Sequence, residues 1–171
     1  GDFTKAIFEE TYGSKLANGI GNLTARTVTM AHKYCAGTVP ARADDRFDTP
    51  GFWKRYFDAL DRYRFDDAVK AIEELITACN RSIDVEAPWK KAKAGEDVAT
   101  FLYQLLEALR HAAMALLPVI PATAERLLTM LGTDAAAVSL PRDAVWGGLA
   151  PGATLGASEA LFPRLAPHVP R

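Results

Sequence analysis

The feature that most constrains the fold is a repeat of large apolar side chains at alternating spacings of four and three residues. The repeat consists of Phe65, Val69, Ile72, Ile76, Cys79 and Ile83. Because a helix turns about 100° per residue, this spacing places all of them on one face and predicts an amphipathic α-helix. Such a helix is stable only when its apolar face packs against other elements, so we expect a larger bundle.

The same spacing predicts a second long helix from Ser14 to Tyr34. Its apolar face is formed by Leu16, Ile20, Leu23, Thr27, Met30 and Tyr34. Further helices are predicted over residues 4–11, from Thr49–Pro50 onward, and over residues 98–117 and 122–131, with a break at Gly13–Ser14. About six helices with short connections predict an all-α helical bundle.

The composition changes after Gly132. Residues 133–171 are rich in Gly, Pro and Ala, and their large apolar side chains have no helical spacing: Trp146, Leu149, Leu155, Leu161 and Phe162. We therefore expect residues 1–132 to form the bundle and residues 133–171 to form an extended tail that packs on it.

The sequence contains no recognisable catalytic or metal-binding pattern. The three histidines, His32, His111 and His168, are isolated, and no Ser or Cys nucleophile has a familiar setting. Cys35 and Cys79 lack metal-ligand spacing, so both are expected to be small core residues. A formal net charge of −1 provides no general attraction for nucleic acid, so any such binding must come from a local patch.

One such patch is predicted where Pro88 ends the helix that carries the repeat. Proline cannot continue a helix, and the preceding Ala87 is expected to be extended. Trp89 then lies at a stiff corner, followed by Lys90, Lys91 and Lys93. A fixed aromatic ring among positive charges is suited to stacking on an unpaired base beside phosphates. On this stretch alone, a core tryptophan with solvated lysines is the better interpretation.

A second candidate patch lies beside the apolar face of the helix from Ser14 to Tyr34. Lys15, Asn22, Arg26 and Lys33 fall within one narrow stripe. An amide next to a guanidinium offers several donors and one acceptor, which can read the edge of a base. Taken alone, a helix flank that hydrogen-bonds its neighbours remains the simpler explanation.

Three separated motifs resemble one family, the bacterial methionyl-tRNA synthetases. Residues 16–26, LANGIGNLTAR, resemble the "LANDLGNL..R" helix of that family, with Gly19 where the family usually has Asp. Residues 84–93, DVEAPWKKAK, resemble its "D..APW..AK" corner. The tail matches in the order Trp146–Leu149 and then Leu161–Arg164. Each motif is weak alone, but the set covers essentially the whole chain.

The resemblance implies the fold and the roles of individual residues. It predicts the α-helical anticodon-binding bundle of a class I aminoacyl-tRNA synthetase, which follows the catalytic domain. Trp89 would stack on unstacked anticodon bases, and Pro88 would shape its setting. Asn22 and Arg26 would read the anticodon CAU, chiefly its first base, cytosine. Lys90 and Lys93, which flank the corner, complete the predicted RNA-binding set.

The nucleotide-binding signatures of that family's catalytic domain do not occur in this sequence. The chain is therefore expected to be a fragment that is inactive alone and binds no cofactor. ATP would bind to the catalytic part of the enzyme, and zinc is a second candidate ligand of that part. The expected partners are the anticodon loop of tRNA(Met) and the catalytic domain of the same chain. A monomer is expected, since no long apolar stripe remains exposed once the bundle is formed. A cytoplasmic location is expected, since no run of 18 apolar residues exists.

Two alternatives remain open. The chain could be the equivalent domain of another class I synthetase for an apolar amino acid, which would not be expected to combine Asn22, Arg26 and Pro88–Trp89. It could also be a helical interaction protein with no RNA function, in which the polar stripe is merely solvated.

Overall fold

The fold is a bundle of α-helices that connect through short loops. A computed structural model describes the backbone of residues 2–157 and the side chains of residues 12–157. The helices are α1 (Asp2–Tyr34), α2 (Thr49–Asp61), α3 (Phe65–Glu86), α4 (Pro88–Lys93), α5 (Ala99–Leu116) and α6 (Pro121–Met130), followed by a 3₁₀ turn (Ala135–Ala137). Within this part of the chain there is no strand, only an isolated bridge between Thr38 and Thr154. The prediction of an all-α bundle is confirmed.

Helix α5 is the centre of the bundle. From Phe101 to Leu116 every side chain except that of Gln104 is buried, and α1, α2, α3 and α6 all contact this helix. A helix that is buried on almost all sides is stable only when neighbours surround it. The predicted apolar repeat of α3 supplies one such neighbour, because Val69, Ile72, Ile76, Cys79 and Ile83 are all buried.

Helix α1 corrects one expectation. The predicted break at Gly13–Ser14 is wrong, because α1 continues without interruption from Asp2 to Tyr34. Glycine inside a helix costs about 1 kcal/mol relative to alanine, which is why it suggested a break. Here Gly13 is buried, and a Cβ atom on it would lie 3.5 Å from the side chain of Ile120. The small residue therefore lies where the loop before α6 approaches α1.

The corner between α3 and α4 also differs from the prediction. Ala87 is not extended: it adopts a left-handed conformation, with φ of 43° and ψ of 61°. A proline disfavours the right-handed helical region for the preceding residue, and Ala87 lies outside that region. This conformation lets the N–H of Ala87 close α3 on the carbonyl of Ile83 at 2.9 Å while its carbonyl accepts from Lys90 at 2.9 Å. The chain thus passes from α3 to α4 through one residue.

The residues after Gly132 pack on the bundle as a C-terminal segment, residues 133–157. Backbone hydrogen bonds join it to the loop after α1: the N–H of Val39 donates to Ala153, and the N–H of Leu155 donates to Gly37. Leu149 and Leu155 are buried. The proposed motif at Leu161–Arg164, and His168, lie outside the described residues.

Candidate nucleic-acid interface

Helices α1 and α3 lie side by side and run in the same direction. Lys15 pairs with Glu73 at 3.1 Å, and further along α1, Arg26 contacts Asn80 and Asp84 near the end of α3. This alignment brings the polar stripe of α1 to the last turns of α3. It therefore places Arg26 beside the turn that precedes the Trp89 corner.

The guanidinium of Arg26 is held from two points on α3. Its Nη1 donates to Oδ1 of Asn80 at 3.0 Å, and its Nη2 donates to Oδ1 of Asp84 at 3.2 Å. The arginine side chain is 40% exposed, so its remaining N–H groups can still reach a ligand. An exposed ion pair of this kind contributes little stability, and its main effect is to orient the guanidinium. Sequence reasoning missed Asn80 and Asp84, although their spacing of four residues marks one face of α3.

Asn22 lies one helical turn before Arg26 on the same face of α1. Its side chain is exposed, and no hydrogen bond to it is found within residues 12–157. The amide is therefore available to a ligand. Lys33, the last member of the predicted stripe, lies 5.5 Å from the ring centroid of Tyr34 and so stays near its own helix.

Trp89 follows the left-handed corner and is 42% exposed, although tryptophan is mostly buried in folded proteins. Pro88 beside it is buried, so it anchors the first turn of α4. A partly exposed ring on a buried proline can offer one face to a ligand. The alternative of a core tryptophan is excluded by this exposure.

The base of α4 is fixed by Glu86. Its Oε1 accepts from Nζ of Lys91 at 3.1 Å and forms an ion pair with Nη1 of Arg46 at 3.4 Å. The hydrogen bond from Lys91 is the main reason that the pKa of Glu86 lies below its usual range, with a further contribution from Arg46. This carboxylate thus joins α4 to the loop before α2.

Lys90 and Lys93 are exposed, and neither has an ion-pair partner among the residues whose side chains are described. Their charges therefore remain available next to Trp89. The chain has a net charge of −1, but this corner has two free cations. The local patch anticipated from the sequence is thus present as a geometric feature, whereas its binding role stays a prediction.

A separate buried cluster was not predicted. Glu107 of α5 accepts two hydrogen bonds from Arg110, at 2.6 and 2.9 Å, and contacts Nε2 of His111 at 3.2 Å. It also accepts the backbone N–H groups of Gly147 and Gly148, at 2.5 and 2.8 Å. Burial opposes the charge of Glu107, but the hydrogen bonds from Arg110 and His111 prevail and lower its pKa to about 2. This cluster fastens the C-terminal segment to the central helix.

Two of the histidines, His32 and His111, have structural contacts. His111 accepts a hydrogen bond from the indole of Trp53 and is fully buried. Nε2 of His32 lies 2.9 Å from the carbonyl oxygen of Gly156. Cys79 is buried as expected, whereas Cys35 is only partly buried. Among the described residues, no group of three or more His, Cys, Asp or Glu side chains could hold a metal ion.

None of the helices in the described part of the chain is both long enough and apolar enough to cross a bilayer.

Comparison with known proteins shows the family of the chain. The profile of the family described as "Anticodon binding domain of methionyl tRNA ligase" matches residues 49–168. The methionine–tRNA ligase of Synechocystis is 32% identical over 185 residues, which cover 96% of this chain and 35% of the relative. That of Streptomyces coelicolor is 34% identical over 183 residues, with 96% and 34% covered.

A solved structure gives the same result. The apo form of Mycobacterium tuberculosis methionyl-tRNA synthetase matches with a TM-score of 0.68 at 29% identity, covering 97% of this chain and 35% of that one. The chain thus spans about a third of the length of these relatives. On these matches, the chain belongs to the family of methionyl-tRNA ligase anticodon-binding domains.

Proposed function

We propose that this domain recognises the anticodon CAU of tRNA(Met) as part of a methionine–tRNA ligase. The observation that carries the proposal is the placement of Arg26. Its guanidinium is fixed by Asn80 and Asp84 immediately before the corner that exposes Trp89. A planar donor group and an aromatic ring in one neighbourhood are the two elements needed to read and stack an unpaired base.

In this proposal Trp89 provides the stacking surface. Base stacking on an aromatic ring contributes about 1–3 kcal/mol per base and tolerates every base, since each base has a π face. The stiffness of the corner supports this role, because Pro88 is buried and Glu86 ties α4 to Arg46. A fixed backbone at this corner limits the entropy that is lost on binding.

Base identity would be read by Arg26 and Asn22. The Watson–Crick edge of cytosine offers two acceptors and one amino donor. The free N–H groups of Arg26 match the acceptors, and the amide oxygen of Asn22 matches the amino group. Lys90 and Lys93 would contact phosphates of the same loop and so contribute affinity without sequence preference.

The remaining steps of aminoacylation would belong to the catalytic part of the same polypeptide. We place the activation of methionine with ATP there, together with any zinc, and propose that this domain itself binds no cofactor. The intact enzyme would act in the cytoplasm, where its tRNA is charged, and a single copy of this domain would suffice for one anticodon loop.

The proposal can be tested by measuring the binding of transcribed tRNAs by gel shift. We expect tRNA(Met) to bind more tightly than the same tRNA with one changed anticodon base, by about 1–3 kcal/mol for a base read directly. Equal binding of both RNAs would contradict anticodon reading. A preference for the anticodon of another apolar amino acid would assign the domain to a different synthetase, and no RNA binding would favour an interaction protein.

A further inference from the structure

Helix α4, which carries Trp89, is too short to be stable without support from other elements. It has six residues, Pro88–Lys93, whereas isolated helices shorter than about 12–15 residues are marginal in water. Pro88 is the only one of the six that is buried. The position of α4 on the bundle, and with it the position of the exposed indole ring, therefore depends on contacts made by the flanking residues.

One ion pair joins this corner to a distant part of the chain. Nη1 of Arg46, in the loop before α2, lies 3.4 Å from Oε1 of Glu86, the last residue of α3. The same carboxylate oxygen accepts a hydrogen bond from Nζ of Lys91 in α4 at 3.1 Å. Within residues 12–157, no other side-chain hydrogen bond or ion pair connects residues 86–93 to the rest of the fold. Arg46 thus provides the one polar support of the corner from outside it.

Arg46 is itself held by the central helix. Its guanidinium carbon lies 5.0 Å from the ring centroid of Phe101 in α5. The backbone two residues earlier is fixed as well, because Nε2 of Gln104 in α5 donates to the carbonyl of Asp44 at 3.0 Å. Both contacts come from the helix at the centre of the bundle. The core therefore supports Arg46, and Arg46 in turn supports the corner.

We propose that Arg46 is a positioning residue for RNA binding, which acts through Glu86 to hold α4 so that the ring of Trp89 faces the base. The inference rests on the proposed function and adds to it a residue that lies outside all of the sequence motifs. Without the ion pair, the corner samples other positions. The apparent affinity for RNA then falls in proportion to the fraction of molecules in which the ring is correctly placed.

Glu86 distinguishes this positioning role from a direct effect of charge on RNA. Removal of the positive charge of Arg46 weakens RNA binding by either route. Removal of the negative charge of Glu86 strengthens binding if charge alone matters, since RNA is an anion. If positioning matters, the loss of Glu86 must also reduce the contribution of Trp89, because the same ion pair is broken.

The test is a pair of double-mutant cycles with Trp89. Binding of a short stem-loop RNA that carries the CAU loop is measured by fluorescence anisotropy for Arg46→Gln and Glu86→Gln, each in the wild-type background and in Trp89→Ala. The difference between the two backgrounds removes direct charge effects and leaves the coupling to the ring. Arg55→Gln, which removes an exposed arginine of α2, is the matched control.

We expect each substitution in the ion pair to reduce affinity about fivefold more when Trp89 is present than in Trp89→Ala. This factor corresponds to the upper range measured for exposed ion pairs. Arg46→Lys can still pair with Glu86 and should retain most of the coupling. Arg55→Gln should have the same effect in both backgrounds.

A measurement without RNA tests the position of the corner directly. The N–H groups of Lys90 and Lys91 donate to the carbonyl of Ala87, so their hydrogen exchange reports how often the first turn of α4 opens. Exchange is followed by mass spectrometry on the peptide that contains α4. It should be about fivefold faster in Arg46→Gln than in the wild type, and unchanged in Arg55→Gln.

The inference is overturned if Arg46→Gln and Glu86→Gln have the same effects in both backgrounds, or if their couplings to Trp89 have opposite signs. Unchanged exchange of α4 in Arg46→Gln overturns it as well. Failure of the proposed function gives a different pattern. In that case the wild-type chain binds the CAU loop and a scrambled loop equally and Trp89→Ala has no effect, while α4 still exchanges faster in Arg46→Gln.

Discussion

The indole Nε1 of Trp53 donates a hydrogen bond of 2.8 Å to Nδ1 of His111. An indole N–H can only donate, so Nδ1 is an acceptor and the proton of the neutral imidazole lies on Nε2. Nε2 is 3.2 Å from Oε2 of Glu107 and therefore donates to it. One bond from α2 thus sets the direction of the hydrogen bond between His111 and Glu107 in the buried cluster that holds the C-terminal segment.

Replacement of this carboxylate should be costly. In Glu107→Gln the buried Arg110 would lose its counter-charge, and breaking a buried pair typically costs about 3–5 kcal/mol. We expect that loss in the free energy of unfolding, measured by urea denaturation with circular dichroism. Arg64→Ala removes an exposed pair with Asp67 and should cost less than about 1 kcal/mol. Similar costs for the two variants would mean that Glu107 is not a central contact.

The same carboxylate predicts how stability depends on pH. The pKa of Glu107 is about 2 in the folded chain, and an unfolded glutamate has a pKa of about 4.3. The lowered pKa therefore adds stability, about 3 kcal/mol, that is complete above the unfolded pKa and is lost as the pH falls toward 2. Urea midpoints between pH 6 and pH 2 should fall less steeply in Glu107→Gln than in the wild type. Parallel curves would contradict the assignment.

Trp89 and Arg26 should differ in what their loss does to RNA binding. Trp89→Ala removes a stacking surface worth about 1–3 kcal/mol per base, so cognate and variant loops should weaken together and keep part of their difference. Arg26→Ala should instead bring the affinities of the cognate tRNA and of a variant at the first anticodon base together. Binding is to be measured at two salt concentrations.

Salt dependence separates base reading by Arg26 from phosphate contact. If Arg26 touched only phosphate, Arg26→Ala would weaken both RNAs equally and reduce the salt slope by about one unit. Unchanged binding in both variants, with the fold intact by circular dichroism, would mean that this surface does not read the anticodon.

Asp84 should act through Arg26. In Asp84→Ala the guanidinium keeps only its bond to Asn80 and can rotate, so discrimination at the first anticodon base should fall. The free energy of unfolding should change by less than about 1 kcal/mol, since the pair is exposed. Asp66→Ala, at the other end of α3, is the matched control and should leave discrimination unchanged. Lost stability with intact discrimination would contradict the positioning role.

The 171-residue chain should show no methionine-dependent exchange of pyrophosphate into ATP. Its sequence contains none of the nucleotide-binding signatures that such chemistry requires. The measurement uses the purified chain, with an intact methionine–tRNA ligase as the positive control. Exchange above background would mean that the domain content has been misjudged.

The helices could be predicted where a single periodic face decides the structure. Most of the repeat in α3 and of the apolar face of α1 is buried as predicted, because local spacing determines which side of a helix faces the core. Phe65, Met30 and Tyr34 are only partly buried. The continuity of α1 through Gly13 was not predictable in this way. It depends on the approach of Ile120, more than one hundred residues later in the chain.

The residues of the candidate site were also only partly predictable from the sequence. Trp89 and Arg26 could be selected from a motif and from the polar stripe, but the sequence indicated neither the exposure of Trp89 nor the left-handed conformation of Ala87. Asn80 and Asp84 are 54 and 58 residues away from Arg26, so their role depends on how α1 and α3 align. The Glu107 cluster was missed because charged residues inside an apolar helix have no local signal for their distant partners.

The contacts of Glu107 have a consequence for the order of folding. Its backbone donors, Gly147 and Gly148, follow it by 40 and 41 residues, so during synthesis the central helix exists before the groups that complete its buried charge pair. Until those residues leave the ribosome, the charged groups of Glu107 and Arg110 must remain hydrated, because the backbone N–H groups that complete their hydrogen bonds are not yet present. A nascent chain arrested near Gly132 would thus contain helices α1 to α6, while Glu107 would still lack the backbone donors of the C-terminal segment.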